Sequence, residues 1–409
     1  MQVLTRRWMA VLAAVMLAAG LASVRAEVSL ASPETVGFSA EGLAALRQEM
    51  RGLVDDGRLA GVTTLVARHG QVVHFDAYGV RDLDSRVPVE RDTIFRIASM
   101  TKPIVGVAMM MLWEEGKWAL DDPVSKHIPE LAGLKVATGG GEVPQASPMT
   151  MRQLMSHTAG FDASGGYTEH DLRAGNLQDM IDKLAGLPLA FQPGTEWRYG
   201  PSVDIQGYVV EKLSGQPLDV FLRTRIYEPL GMSDTGFWVD RSKAGRASKL
   251  FTYDDDGALI TAPTQVRGDL TEKPAFLSGG GGLNSTAEDY FRFCQMLLDG
   301  GEADGQRLLK ASTVELMYAN VLEPGVTIGR GTGTGFGMDF AIVLDPEAAE
   351  TPEGRNTYYW SGAYGTWFWI DPTNDLIVVG MIQNTGGGTP PMRSLSRQLV
   401  YDALVNPEK

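Results

Sequence analysis

The spacing of apolar residues changes character along the chain. From Ser39, the run S-A-E-G-L-A-A-L-R-Q-E-M-R-G-L-V places Leu43, Leu46, Met50, Leu53 and Val54 at helical intervals, with Ser39 as the N-cap. G-V-T-T-L-V-A-R and V-V-H-F-D-A-Y-G follow, two β-branched runs joined at His69-Gly70-Gln71, which predict a hairpin. Between about residues 100 and 300 the pattern turns helical, in runs such as T-K-P-I-V-G-V-A-M-M-M-L-W-E-E-G and P-S-V-D-I-Q-G-Y-V-V-E-K-L-S-G bounded by Gly or Pro. Near the end, N-T-Y-Y-W-S-G-A-Y-G-T-W-F-W-I-D and L-I-V-V-G-M-I return to strand composition around a turn at Asp371-Pro372-Thr373-Asn374. The run P-M-R-S-L-S-R-Q-L-V-Y-D-A-L then closes the chain at helical spacing.

Neither terminal set of strands makes a stable sheet alone, because isolated hairpins are marginal in water. Joined, they give one antiparallel sheet with the first and last helices on a face and the helical segment inserted. The expected organisation is therefore α/β (α+β). A leader spans 1–26, the α/β lobe begins over 27–95, a mostly helical lobe carrying the nucleophile covers 96–284, and the α/β lobe is completed by 285–409. Gly-rich stretches at 139–141, 279–282 and 329–337 read as loops, and loops at 139–148, 162–176 and 322–337 are expected to shape any pocket.

Composition and charge narrow the classes of function. Residues 1–26 start basic at Arg6 and Arg7, continue through an apolar run from Trp8 to Ala22 and end in small residues. This predicts a cleaved export signal and a periplasmic or secreted protein, with no stable membrane span after signal removal. The run approaches the length of a spanning helix, so a retained anchor is the alternative. Removing it deletes Arg6, Arg7 and Arg25 and no acid, which takes the formal charge from −14 to −17. So acidic a chain repels polyanions, and nucleic acid is not an expected partner. Cys294 is the single cysteine and lies among Tyr290, Phe293, Met296 and Leu297 at helical spacing, as a packing residue does.

The candidate chemistry begins at F-R-I-A-S-M-T-K-P-I-V. Ser99 and Lys102 are three residues apart at the start of an apolar helix, so both project from one side. A serine hydroxyl is a weak nucleophile until a base takes its proton, and a lysine withdrawn from water can serve. Free backbone N–H groups at the helix start, that of Ser99 included, can donate to an oxyanion. The S-x-x-K spacing alone is common and gains weight from this context.

Further along stand W-R-Y-G-P-S-V-D-I-Q-G-Y around Tyr199 and Y-W-S-G-A-Y-G-T around Trp360. With L-M-S-H-T-A-G at 154–160, S-G-G-G-G-L at 278–283 and F-W-I-D-P at 368–372, the chain resembles the serine β-lactamase and penicillin-binding protein superfamily. Within it, the chain looks most like class C β-lactamases and the family VIII esterases, over about residues 30 to 405. The resemblance implies a β-lactamase/transpeptidase-like fold and an acyl-enzyme on Ser99, with Lys102 holding or accepting its proton and Tyr199 acting as acid and base. It also implies that Trp360, Ser361 and Gly362 lie on an edge strand lining the substrate pocket. The backbone N–H of Ala363 is then the second oxyanion donor beside Ser99.

The chain departs from the lactamase pattern at Pro201, where an asparagine is usual, and at Trp360, where a lysine is usual. Losing that cation removes an anion clamp, so neutral, largely apolar acyl groups on a small-molecule ester are the expected substrates. The alternatives are a β-lactamase or D-alanyl-D-alanine carboxypeptidase, and a non-catalytic penicillin-recognising binding protein. No G-x-S-x-G surrounds any serine, so His157 is expected to cap carbonyls at a helix end rather than serve a triad. No cofactor and no metal are expected, and Asp254-Asp255-Asp256-Gly257 reads as a turn between strands. Nothing in the sequence fixes an oligomeric state.

Overall fold

The computed structural model describes residues 28–162, 170–262 and 269–408, so the expected leader and part of the 162–176 loop lie outside the described residues. Helix α1 (Ala40–Asp55) starts where the pattern placed it, with the Ser39 hydroxyl accepting from the Gly42 N–H and Leu43, Leu46, Met50 and Leu53 buried. Strands β1 (Gly61–Arg68) and β2 (Gln71–Gly79) form the hairpin. Its two turn residues, His69 and Gly70, sit at φ 53° and 69°, the left-handed pair that matches the twist of the flanking strands.

The remaining strands of the sheet are β3 (Thr334–Phe336), β4 (Ala341–Val343), β5 (Tyr358–Ser361), β6 (Trp367–Asp371) and β7 (Leu376–Met381). The order is β3-β4-β5-β6-β7-β1-β2, all neighbours antiparallel. The two ends of the chain therefore meet at β1 and β7, in a register running from Thr63↔Met381 to Arg68↔Leu376. Every residue of β6 and β7 is buried, as in strands covered on both faces. The helices that pack around the sheet and the site include α2 (Thr101–Glu114), α3 (Met151–Met155), α4 (Ser202–Ser214), α5 (Ala287–Leu298) and α6 (Met392–Ala403). Helices α1 and α6 pack on each other and on the sheet, while α5 covers β7 and β1. Cys294 is fully buried on α5, its thiol pushed well above the ordinary range by burial.

Phe95–Arg96 pairs antiparallel with Asn284–Ser285, so the two ends of the intervening helical stretch are stitched to each other. Within it, α4 packs against both α2 and α3. All of α2 except Trp113 and Glu114 is buried, consistent with a helix apolar on every side.

Three expectations change. Residues 139–148 are not simply a loop, since Gly141–Pro144 pairs with Lys135–Thr138. The Gly-rich stretch 329–337 contains β3, whose three residues pair with β4. Strand β5 is interior rather than an edge. Its pairing with β4 stops at Tyr359↔Ala341, however, so Trp360 and Ser361 run past the end of their neighbour and keep an open side. The acidic run at 254–257 is the turn expected, between Phe251–Tyr253 and Leu259–Thr261.

Candidate active site

Ser99 sits in a single 3-10 turn, Ala98–Met100, that leads directly into α2. The preceding residue, Ala98, has φ 44°, a conformation that costs an L-residue roughly 1 kcal/mol or more and persists only when its surroundings enforce it. Those surroundings are visible. The Ile97 N–H donates to the Leu283 carbonyl, Thr101 Oγ1 to the Ala98 carbonyl at 2.7 Å, and Tyr290 Oη to the Met100 carbonyl at 2.9 Å. The turn is clamped on both sides and Ser99 stays half-exposed at its tip.

Lys102 lies in the first turn of α2 and is 3% exposed. Its Nζ is 3.3 Å from Ser99 Oγ, donates a short hydrogen bond to the Gly280 carbonyl, and stands 4.4 Å from the centroid of the Tyr199 ring. No carboxylate among the described residues pairs with it. Tyr199 comes from the irregular segment before α4, and its hydroxyl makes no hydrogen bond to any described residue. The structure thus brings Ser99, Lys102 and Tyr199 together, with the tyrosine touching the lysine through its ring rather than its oxygen.

Trp360 stands beside Tyr199, ring centroids 5.5 Å apart, and Phe336 meets Trp360 edge-on at 5.6 Å. Gly362 is pressed onto the nucleophile turn: a β-carbon there would sit 2.4 Å from the Ile97 carbonyl and 2.2 Å from Thr366 Oγ1. Only glycine lets the strand end approach so closely. Thr366 Oγ1 itself donates to the Ile97 carbonyl, and Tyr364 shares a small apolar cluster with Ala98 and Leu250. Ala363 is held between these two contacts, beside the serine. Among the described residues, neither the Ser99 nor the Ala363 amide donates to a backbone carbonyl, which leaves both free for an oxyanion. Ser361 is half-buried and faces Trp367 across β6.

His157 requires a correction. Its side chain caps no carbonyl: the ring is fully buried, neither nitrogen makes a hydrogen bond to any described residue, Nε2 stands 3.9 Å from Asp339 Oδ1, and the ring stacks on Tyr199 at 5.1 Å with an interplanar angle of 27°. What ends the helix α3 is the backbone, with His157 at φ 60° and the Thr158 N–H returning to the Gln153 carbonyl. Burial, and secondarily the charge of Lys102, push the imidazole down to about 3, so it is a neutral platform behind the tyrosine. Nearby, the buried Asp339 accepts from Gln206 Nε2 at 3.2 Å, and burial holds its carboxyl well above the ordinary range.

Asp204 also escaped sequence reasoning. In the first turn of α4 it reads as an acid favoured by the helix dipole. Here it is fully buried and its Oδ1 accepts from Ser278 Oγ and from the Gly280 N–H, each at 2.7 Å. The Gly280 carbonyl in turn receives Lys102. Asp204 is therefore a positioning residue: it fixes the peptide that aims Lys102 Nζ. Arg173 lies 3.7 Å away. Asp204→Ala is expected to lower kcat by about a hundredfold while KM shifts far less, the effect of a small displacement of a reacting group. Steady-state kinetics on a nitrophenyl ester, with a melting curve to confirm folding, check this.

Comparison with known proteins finds similar sequences and folds. A family profile described as beta-lactamase matches residues 46–401. An uncharacterised protein of Mycobacterium tuberculosis is 36% identical over 359 residues, covering 82% of this chain and 88% of the relative. Esterase EstB of Burkholderia gladioli is 32% identical over 375 residues, covering 84% and 91%. Among solved structures, that of EstCE1, described as a hydrolase with promiscuous acyltransferase activity, superposes with a TM-score of 0.77 at 28% identity, covering 88% of this chain and 99% of that one.

Proposed function

The chain belongs to the β-lactamase family and is a serine hydrolase, and from that premise we propose that it cleaves carboxylic esters of small, largely apolar acyl groups through an acyl-enzyme on Ser99. One observation carries the mechanism: the buried Lys102 Nζ lies 3.3 Å from the half-exposed Ser99 hydroxyl and pairs with no carboxylate among the described residues. Lys102, delivered as the free amine, takes the proton as Ser99 Oγ attacks the acyl carbon. The carbonyl oxygen becomes an oxyanion facing the Ser99 and Ala363 N–H groups. When the intermediate collapses, the ester C–O bond breaks and the alcohol leaves with a proton supplied through Tyr199. Water then attacks the acyl-enzyme, gives its proton to the same pair, and releases the carboxylic acid and free Ser99.

Ester rather than lactam chemistry is supported by the aromatic lining of Trp360, Tyr199 and Phe336 and by the similarity to EstB. The leader expected over 1–26 would place this activity in the periplasm or outside the cell.

The test is a substrate comparison. The mature protein should hydrolyse short-chain nitrophenyl esters with kcat/KM about a hundredfold above that for a chromogenic cephalosporin, since Trp360 and Pro201 stand where a lactamase has the lysine and asparagine that seat a lactam, and a pocket without them discriminates on roughly that scale. Faster cleavage of the cephalosporin would assign the site to lactams instead.

A further inference from the structure

Trp360 replaces a lysine, yet a cation stands on its ring. The guanidinium carbon of Arg330 lies 4.8 Å from the Trp360 centroid. Trp360 is 4% exposed and touches Tyr199, whereas Arg330 is exposed to solvent. The cation therefore caps the outer side of the ring whose neighbour meets Lys102.

Its position is built by the fold. On one side of Arg330, Ile328 is buried. On the other, the Gly333 carbonyl accepts from the Leu344 and Asp345 N–H groups, Thr332 Oγ1 donates to the Ala348 carbonyl at 2.8 Å, and Thr334 Oγ1 donates to the Gly331 carbonyl at 2.9 Å. The loop is thus held on both sides of Arg330, whose guanidinium rests on the Trp360 ring beside Tyr199.

Electrostatics sharpen the point. The chain has 50 acidic residues against 36 Lys and Arg, so an arginine finds a carboxylate easily. Arg330 has none among the described residues. Stacking on an aromatic face orients the guanidinium plane and leaves its N–H fork free to bind a planar anion in two parallel hydrogen bonds. In a protein of net charge −14, an anionic substrate would otherwise meet repulsion at the mouth of the site.

We propose that Arg330, held on Trp360, forms a subsite for a carboxylate carried by the ester substrate. The anion clamp that the tryptophan removed is thus restored from a different loop. The apolar acyl group and the carboxylate then occupy separate parts of one molecule, as in an acylated hydroxy acid. This inference rests on the ester-hydrolase reading above.

Two isosteric pairs of esters test it: 3-butyryloxybenzoate against 3-butyryloxybenzamide, and the mono-4-nitrophenyl ester of adipate against that of adipamate. The first pair puts the carboxylate on the alcohol side, the second on the acyl side. In at least one pair the wild type should favour the anion, and Arg330→Gln should reduce the anion-to-neutral ratio of kcat/KM by about ten- to a hundredfold, the range for a charge-assisted bond. Arg330→Lys should restore part of it, and added salt should erode it. Melting curves verify that the exposed substitutions leave the fold intact. A ratio unchanged by Arg330→Gln in both pairs overturns the subsite. Failure of the wild type to turn over any of the four esters would sink the ester reading itself, and the subsite with it.

Discussion

Ser99→Ala is expected to abolish ester turnover, with a loss in kcat of about six orders of magnitude, while the protein remains folded. The side chain contributes little to stability, because its hydroxyl is half-exposed and its contact with Lys102 at 3.3 Å is long. The turn is held by other groups: the Ile97 N–H on Leu283, the Thr101 hydroxyl on Ala98 and the Tyr290 phenol on Met100. Alanine accepts the same backbone, so the melting temperature should move by no more than a degree or two. The oxyanion donors survive in the variant, because one is the amide of residue 99 itself and the other belongs to Ala363. Residual hydrolysis above the uncatalysed rate would measure those donors alone. Turnover within tenfold of wild type would remove Ser99 from the mechanism.

Lys102→Met should lower the acylation rate by two to four orders of magnitude, the usual range for an acid–base group. Methionine is the instructive replacement, because Lys102 is enclosed and alanine would leave a cavity as well as delete the amine. Its effect on stability has opposing parts. A polar group is no longer withdrawn from water, which favours folding, and the Gly280 carbonyl loses its donor, at a cost of about 1–3 kcal/mol. Tyr199→Phe is the matching experiment, since the ring stays against Lys102 and His157 and only the hydroxyl goes. If the phenol transfers protons, the rate should fall in the same range, read as a smaller pre-steady-state burst of nitrophenol. Normal burst kinetics in Tyr199→Phe would reduce the tyrosine to a packing role.

The residues most readable in advance were those whose local pattern suffices. The Ser39 cap, the 3.6-residue period of α1 and the β-branched hairpin after it need no tertiary information. The juxtaposition of chain ends was also accessible, because two incomplete strand sets demand each other. The short strands were not. In β3 and β4, each of three residues, β3 carries Gly335 within a Gly-rich run, and such segments become strands only because a neighbour supplies the hydrogen bonds. The interior position of β5 was missed for the same reason.

In the site, the one-turn spacing of Ser99 and Lys102 is local and was visible. The partners of Lys102 are not: the Gly280 carbonyl lies 178 positions away and is fixed by Asp204, a residue that any helix start could carry. His157 shows the opposite failure, where a plausible local role as a helix cap gave way to a ring stacked on Tyr199. Arg330 could not be weighed from sequence at all, because an arginine in a glycine-rich loop acquires meaning only from the ring beneath it.

The central claim is that a buried lysine activates one exposed hydroxyl. The most direct measurement is to treat the mature protein with a fluorophosphonate ester and locate the adduct by peptide mass spectrometry, in wild type and in Lys102→Met. The account predicts stoichiometric labelling confined to Ser99, slowed by two or more orders of magnitude in the variant. An adduct on another residue, or labelling of Ser99 at an undiminished rate without the amine, would contradict it.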